Sequence, residues 1–177
     1  WAVLFPLAAG DGDPRSNERP NAAMNQPPAA SSSTAAPAMA SQDFIDTISV
    51  SNAYEIAAAR IAIDRSRNQD LRHFAAMMIN DHGKSTARLT TAAASVGLTG
   101  RSGLDVDQQA QLDALRNAGT DFDTIYLRQQ KSAHRQALEL LNSYAATGDN
   151  TALQSFARDG IATVSSHLDM LVAIPDG

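Results

Sequence analysis

The sequence predicts an all-α protein, in which an extended N-terminal arm precedes a four-helix bundle with a short extra helix between its second and third long helices. From residue 42 onward, apolar residues recur at heptad spacing in four long segments. No segment alternates apolar and polar residues over a strand length, so we predict no β-sheet. Residues 1–41 lack the helical pattern and are rich in Pro, Ala and Ser. We therefore divide the chain into an arm, residues 1–41, and a bundle domain, residues 42–174.

Capping residues and glycines predict where each helix begins and ends. Ser41 is a suitable N-cap for the first helix, and Asp43 in its first turn favours the helix dipole. Gly97 is expected to end the second helix. The predicted helices span about 42–66, 69–97, 105–117 and 121–146, and the last begins after Asn150 and stops before Pro175. Short connections within the first and second helix pairs, with a long one between the pairs, are typical of a four-helix bundle.

Composition excludes several classes of protein. The 177 residues carry 14 Lys and Arg against 19 Asp and Glu, a net charge of −5, which argues against nucleic-acid binding. The absence of Cys excludes a disulfide scaffold, a thiolate metal site and a cysteine nucleophile. The longest wholly apolar run, residues 1–9, is far shorter than the roughly 20 residues of a membrane-spanning helix. We predict no membrane-spanning segment in the bundle.

The first ten residues resemble part of an export signal. Residues 1–9 are apolar and about as long as the hydrophobic region of such a signal, and Ala8 and Gly10 supply the small residues of a cleavage site. Because the chain starts at Trp1, we expect either a start within a longer precursor or a processed end. Asp11 stands where a lipidated Cys would be needed, so a lipid anchor is not expected.

The arm also suits a tether. Residues 20–41 contain no charged residue and several prolines, which favours a flexible or polyproline-like segment. In this interpretation the apolar tip docks on an envelope or membrane complex. The candidate partner-binding residues are Trp1, Leu4, Phe5 and Leu7.

Four polar residues fall on the inward heptad stripes of the long helices. Three are histidines, each between apolar residues of its stripe, and the fourth is a glutamate seven residues after Ile48: Glu55, His82, His134 and His167. At a rise of about 1.5 Å per residue, all four lie within about two turns of the bundle middle. The remaining histidine, His73, follows Arg72 and is expected to face solvent.

Buried polar groups need partners, and two interpretations remain open. One is a metal centre of three His and one Glu for a single divalent, zinc-like ion. The other is a buried network of His, carboxylate and Tyr groups that sets helix register without metal. Gly83 adds slight support for a site, because a mid-helix Gly costs about 1 kcal/mol relative to Ala. Supporting groups in either case are Asp81, Asp123 and Tyr126.

Catalytic templates are missing. A carboxylate-bridged di-iron bundle needs Glu-x-x-His on two helices, but Ile79, Lys131 and Val164 precede the three histidines by three residues. The sequence has no Gly-x-Ser-x-Gly, Walker loop or dinucleotide-binding fingerprint. We predict no catalytic residues and no enzyme activity.

Residues about 42–172 resemble a bacterial family of exported proteins, domain of unknown function 4142. The matching features, in order along the chain, are Phe44, Glu55, residues 74–82, Phe122, Asp123, Tyr126, His134, Phe156, Ala157, His167 and Leu168. The family is assigned a ferritin-like bundle and carries an outer-membrane label. The resemblance implies that fold and export to the periplasm, and the missing Cys departs from the lipidated members.

These observations favour a non-catalytic periplasmic bundle that acts as an accessory or structural subunit. The arm would tether it to a membrane or envelope partner and raise its local concentration there. The alternative is a metal-binding ferritin-like protein that uses Glu55, His82, His134 and His167. A stress-related redox protein is the second alternative.

Overall fold

The computed structural model describes residues 39–175, and residues 1–38 and 176–177 lie outside the described part. Within residues 39–175 the chain forms five helices and no strand. They are α1 Ser41–Arg65, α2 Gln69–Ser95, α3 Val106–Asn117, α4 Phe122–Thr147 and α5 Thr151–Ala173. The predicted all-α bundle is confirmed, with α3 as the extra helix in the long connection. Residues 1–38 of the arm, which include Trp1, Leu4, Phe5 and Leu7, lie outside the described residues, and Ser41 at its end is the first residue of α1.

Side-chain caps begin three of the helices. Asn68, Asp105 and Asn150 each accept hydrogen bonds from backbone N–H groups in the first turn of the helix that follows. Gly97 has φ +72°, a left-handed conformation that Gly adopts without strain, and α2 ends two residues before it. None of the described helices is both long and apolar enough to cross a membrane.

The start of α1 differs from the prediction. Ser41 is the first residue of the helix, and Ala40 occupies the N-cap without a side-chain hydrogen bond. The Ser41 hydroxyl instead donates to Asp149 Oδ1 at 2.6 Å, and the Tyr144 hydroxyl donates to the same oxygen at 2.7 Å. The Ser41 hydroxyl therefore connects α1 to the loop between α4 and α5. It does not cap its own helix, because it is bound to the Asp149 carboxylate instead of a backbone N–H group.

The helices pack as two hairpins. α1 packs along α2 and α4 packs along α5, and α2–α5 and α1–α4 contacts join the hairpins. α3 contacts α1 and α4. The Arg65 guanidinium donates to the backbone oxygens of Leu115, Arg116 and Ala118, so the end of α3 is held against the end of α1.

A polar layer divides the apolar core into two clusters. On α2, Met78 belongs to one cluster and Leu89 to the other, and His82 lies between them. His134 has the same position on α4, between Leu127 and Leu141. The histidines thus lie in the middle of the bundle, with apolar packing on both sides.

Candidate metal centre

Three of the four predicted ligands come together in the polar layer. The ring centroids lie 6.1 Å apart for His82 and His134, 5.8 Å for His82 and His167, and 5.5 Å for His134 and His167. One nitrogen from each ring lies within 4.8 Å of the other two. His134 and His167 are buried at 2% exposure, and His82 is half-buried.

Each ring is oriented by one hydrogen bond outside the cluster. His82 Nδ1 lies 2.9 Å from Asn52 Oδ1, His134 Nδ1 lies 2.8 Å from the Gln130 carbonyl oxygen, and His167 Nε2 lies 3.2 Å from Asp81 Oδ2. All three oxygens accept, so the bonded ring nitrogens carry the protons and the opposite nitrogens keep their lone pairs.

The Asn52 amide is itself held in place. Its Nδ2 donates to Ser85 Oγ at 3.2 Å, which leaves Oδ1 facing His82. The orientation of the His82 ring therefore rests on a chain of two hydrogen bonds from α1 to α2. Outer partners of this kind are typical of metal-ligating histidines, because they set the tautomer and the ring orientation.

The remaining ring nitrogens have no partner. His82 Nε2, His134 Nε2 and His167 Nδ1 are all buried without a hydrogen bond. Buried polar atoms are nearly always satisfied, so the three orphaned lone pairs in one cluster form a position that could hold a ligand. A metal at about 2.0–2.1 Å from three nitrogens needs them about 3.4 Å apart. Nitrogens as far apart as 4.8 Å must approach one another by up to about 1.4 Å, and the donor set otherwise fits a borderline metal ion.

His82 and His134 are neutral at neutral pH. Burial, together with the rings of His134 and His167 and against the opposing charge of Asp81, lowers the pKa of His82 to about 3. Burial lowers the pKa of His134 to about 4, partly opposed by its hydrogen bond to the Gln130 backbone. Metal binding requires neutral imidazole, so these side chains need not lose a proton before they bind a metal at pH 7.

Glu55 lies outside the group of three. It is 2% exposed, but it is not among the residues whose ligand atoms cluster. Burial raises the pKa of Glu55 to about 8, against a smaller opposing effect of the Gln130 side chain. Both amide atoms of Gln130 are themselves buried without a hydrogen-bond partner. Glu55 Oε2 and the Tyr126 hydroxyl are also buried without partners. The structure thus brings together three imidazoles rather than three imidazoles and a carboxylate.

The other predicted residues have separate positions. Asp81 contacts the site as the partner of His167, whereas Asp123 is not part of the cluster and has a buried oxygen without a partner. His73 is exposed, as expected. Gly83 is not explained by close backbone approach, because a Cβ there would meet nothing within 4 Å. At Gly160 a Cβ would lie 3.3 Å from Leu141, which indicates helix packing.

Sequence reasoning did not identify Asn52 or the role of the Gln130 carbonyl. Asn52 is 3% exposed and lies four residues after Ile48, a spacing that places it on the inward face of α1. That spacing was a usable signal. Phe74 was matched only as part of a motif, but its ring centroid lies 6.3 Å from those of both His134 and His167. It separates the cluster from the apolar core next to it.

Solved structures share this fold. CopM in its Cu(II)-bound form superposes with a TM-score of 0.66 at 18% identity, over 77% of this chain and 96% of that one. A DUF305 fragment from Deinococcus radiodurans gives a TM-score of 0.66 at 13% identity, over 77% and 97%. CopM in its apo form gives 0.62 at 19% identity, over 75% and 93%. These similarities show that the chain shares the helical-bundle fold of those proteins.

A comparison with curated protein sequences gave no match. A family profile described as "Domain of unknown function (DUF4142)" matches residues 26–174, which covers the whole bundle and agrees with the resemblance seen in the sequence. The chain therefore belongs to the DUF4142 family.

Proposed function

We propose that the protein is a non-catalytic metal-binding protein that holds one first-row transition-metal ion with His82, His134 and His167. The observation that carries this proposal is the set of three buried ring nitrogens without partners, each opposite a nitrogen that is already hydrogen-bonded. A metal-free polar network explains the outer hydrogen bonds equally well. The three orphaned nitrogens are the observation that supports a metal in addition to such a network.

Copper and zinc suit the donor set. Imidazole ligands bind both ions, and Cu²⁺ binds more tightly than Zn²⁺ at a given nitrogen site. CopM has been solved in Cu(II)-, Cu(I)- and Ag-bound forms, which supports copper here although the sequences are only 18–20% identical. Bound here, the ion would supply a Lewis-acidic centre and link α2, α4 and α5.

Metal content and thermal stability test the proposal. Protein purified without chelator is analysed for metals, and the metal-free protein is melted with and without Cu²⁺ or Zn²⁺. We expect one ion per chain. At a free-ion concentration of 100 Kd, binding adds about 2.7 kcal/mol of stability. His82→Ala removes a half-buried ligand and should abolish the thermal shift, whereas His73→Ala, at an exposed position of the same helix, should not. Less than one ion per chain and no shift for the native protein would refute the proposal.

A tethered, exported subunit remains a second candidate, which is compatible with metal binding. It is supported by the apolar residues 1–9 and the uncharged residues 20–41. We expect the full chain to fractionate with the periplasm and to co-sediment with envelope membranes. When purified and mixed with isolated envelope membranes, a chain that lacks residues 1–38 should not co-sediment with them, although it keeps its helical circular dichroism. Equal sedimentation of both chains would contradict the tether.

A further inference from the structure

A cavity of about 310 Å³ lies beside two of the three clustered histidines. Its wall includes His82 and His167, and all four long helices contribute residues to it. An apolar part of the wall is formed by Ile48, Leu141, Phe156 and Val164. This volume greatly exceeds the roughly 30 Å³ occupied by one water molecule in the liquid. The cavity can therefore admit a small ligand to the histidine cluster.

The cluster leaves a coordination position unfilled by protein. Four-coordinate metal sites with three protein ligands accept water or another small ligand in the fourth position. Among the described residues, no carboxylate belongs to the cluster, and Asp81 is already bound to His167. The described carboxylates therefore supply no fourth ligand within the cluster, and the cavity provides a path to His82 and His167.

The solvent-facing side of the cavity carries two cations. Lys84 and Arg88 line it and are 67% and 53% exposed. Lys84 Nζ lies 3.6 Å from Asp81, and Arg88 pairs at 2.8 Å with Asp159, which is not part of the wall. With a divalent ion on the imidazoles, the positive charges outnumber the single carboxylate of the wall. The apolar wall also lowers the local dielectric, which strengthens attraction to an anion.

We infer that the metal-loaded protein binds a small monovalent anion as the fourth ligand of the three-histidine centre, and that the anion enters through the cavity past Lys84 and Arg88. This inference rests on the proposed metal binding. The step is ligand exchange: the anion donates a lone pair to the metal and displaces a water molecule, with no change of oxidation state. The site would thus act as an anion receptor that works only when metal is present.

The test uses azide as the probe and the Cu(II)-loaded full chain as the receptor. Copper binding is established first by metal analysis, so a failure at that stage refutes the proposed function and not only the anion site. Azide is then titrated, and we expect a new azide-to-copper charge-transfer absorption that saturates with one azide per copper. If the loaded protein shows no such band and no change in its electron paramagnetic resonance spectrum, the open position does not exist and the inference is wrong.

Variants test the route. Lys84→Gln and Arg88→Gln should each weaken azide binding by about two- to fivefold, which is the scale of an exposed charge interaction. Arg116→Gln is the matched control, because Arg116 is 49% exposed and pairs with Asp113 at 2.7 Å on α3. Val164→Phe should narrow the cavity, weaken azide binding by at least about tenfold and leave copper stoichiometry unchanged. Azide affinities equal to the control in all three cavity variants would overturn the proposed route.

Discussion

Replacing Glu55 with Gln should make the metal-free protein more stable at neutral pH. The carboxyl is 2% exposed, and burial raises its pKa to about 8 from an ordinary value of 4.5. Between these two values the folded chain holds a proton that the unfolded chain releases. The stability of the native protein therefore falls as pH rises through this window, by up to about 1.4 kcal/mol per pH unit. Glutamine keeps the shape of the protonated side chain and cannot ionise.

The expected stability difference is worked out from that window. The variant should match the native protein near pH 4.5 and gain about 3 kcal/mol on it between pH 5 and pH 7, which corresponds to roughly 10 °C in Tm. Urea unfolding at pH 5, 6, 7 and 8 in the presence of chelator measures the difference. Glu139→Gln, at an exposed position of α4, is the control and should show no such trend. A difference that stays constant from pH 5 to pH 8 would refute the reasoning.

Three further predictions concern the histidine layer. In the Glu55→Gln variant, the free energy of unfolding should fall as the pH decreases from 6.5 towards 4, because the unfolded chain takes up protons that the buried His82 and His134 do not. If urea unfolding gave the same free energy across this pH range, the neutral burial of the two histidines would be contradicted. Asn52→Ala should weaken metal binding by about 10- to 100-fold by calorimetry, whereas Asn142→Ala, which removes only a bond to its own helix backbone, should not. Gly83→Ala should raise the free energy of unfolding by about 1 kcal/mol and leave metal affinity unchanged, because a Cβ at this helical position meets no other atom within 4 Å. A lower free energy of unfolding would contradict that open space.

Much of the fold was predictable because the helices repeat their pattern over many turns. Heptad spacing gives the direction in which a side chain points and its depth along the axis, and that information placed His82, His134 and His167 in one layer. The same spacing also predicted Glu55 as a ligand in that layer, although the structure leaves it out of the group of three. Glu55 is buried as the spacing predicts, but it is not among the residues whose ligand atoms cluster, a detail that depends on how α1 is rotated about its axis.

Details that depend on one distant hydrogen bond were not predictable. Ser41 has the local character of an N-cap, but its hydroxyl donates to a carboxylate 108 residues away. The Gln130 carbonyl carries no sequence signal at all, because every residue has a backbone oxygen. Asn52 was accessible from its spacing, but a polar residue on an inward face does not reveal which partner it meets.

The bond between Ser41 and Asp149 has a mechanical consequence. Force applied to the chain at the N-terminus of the bundle would reach α1 and the tip of the α4–α5 hairpin at the same point. The load would be shared between the two hairpins rather than peel the first turn of α1 away from its neighbours.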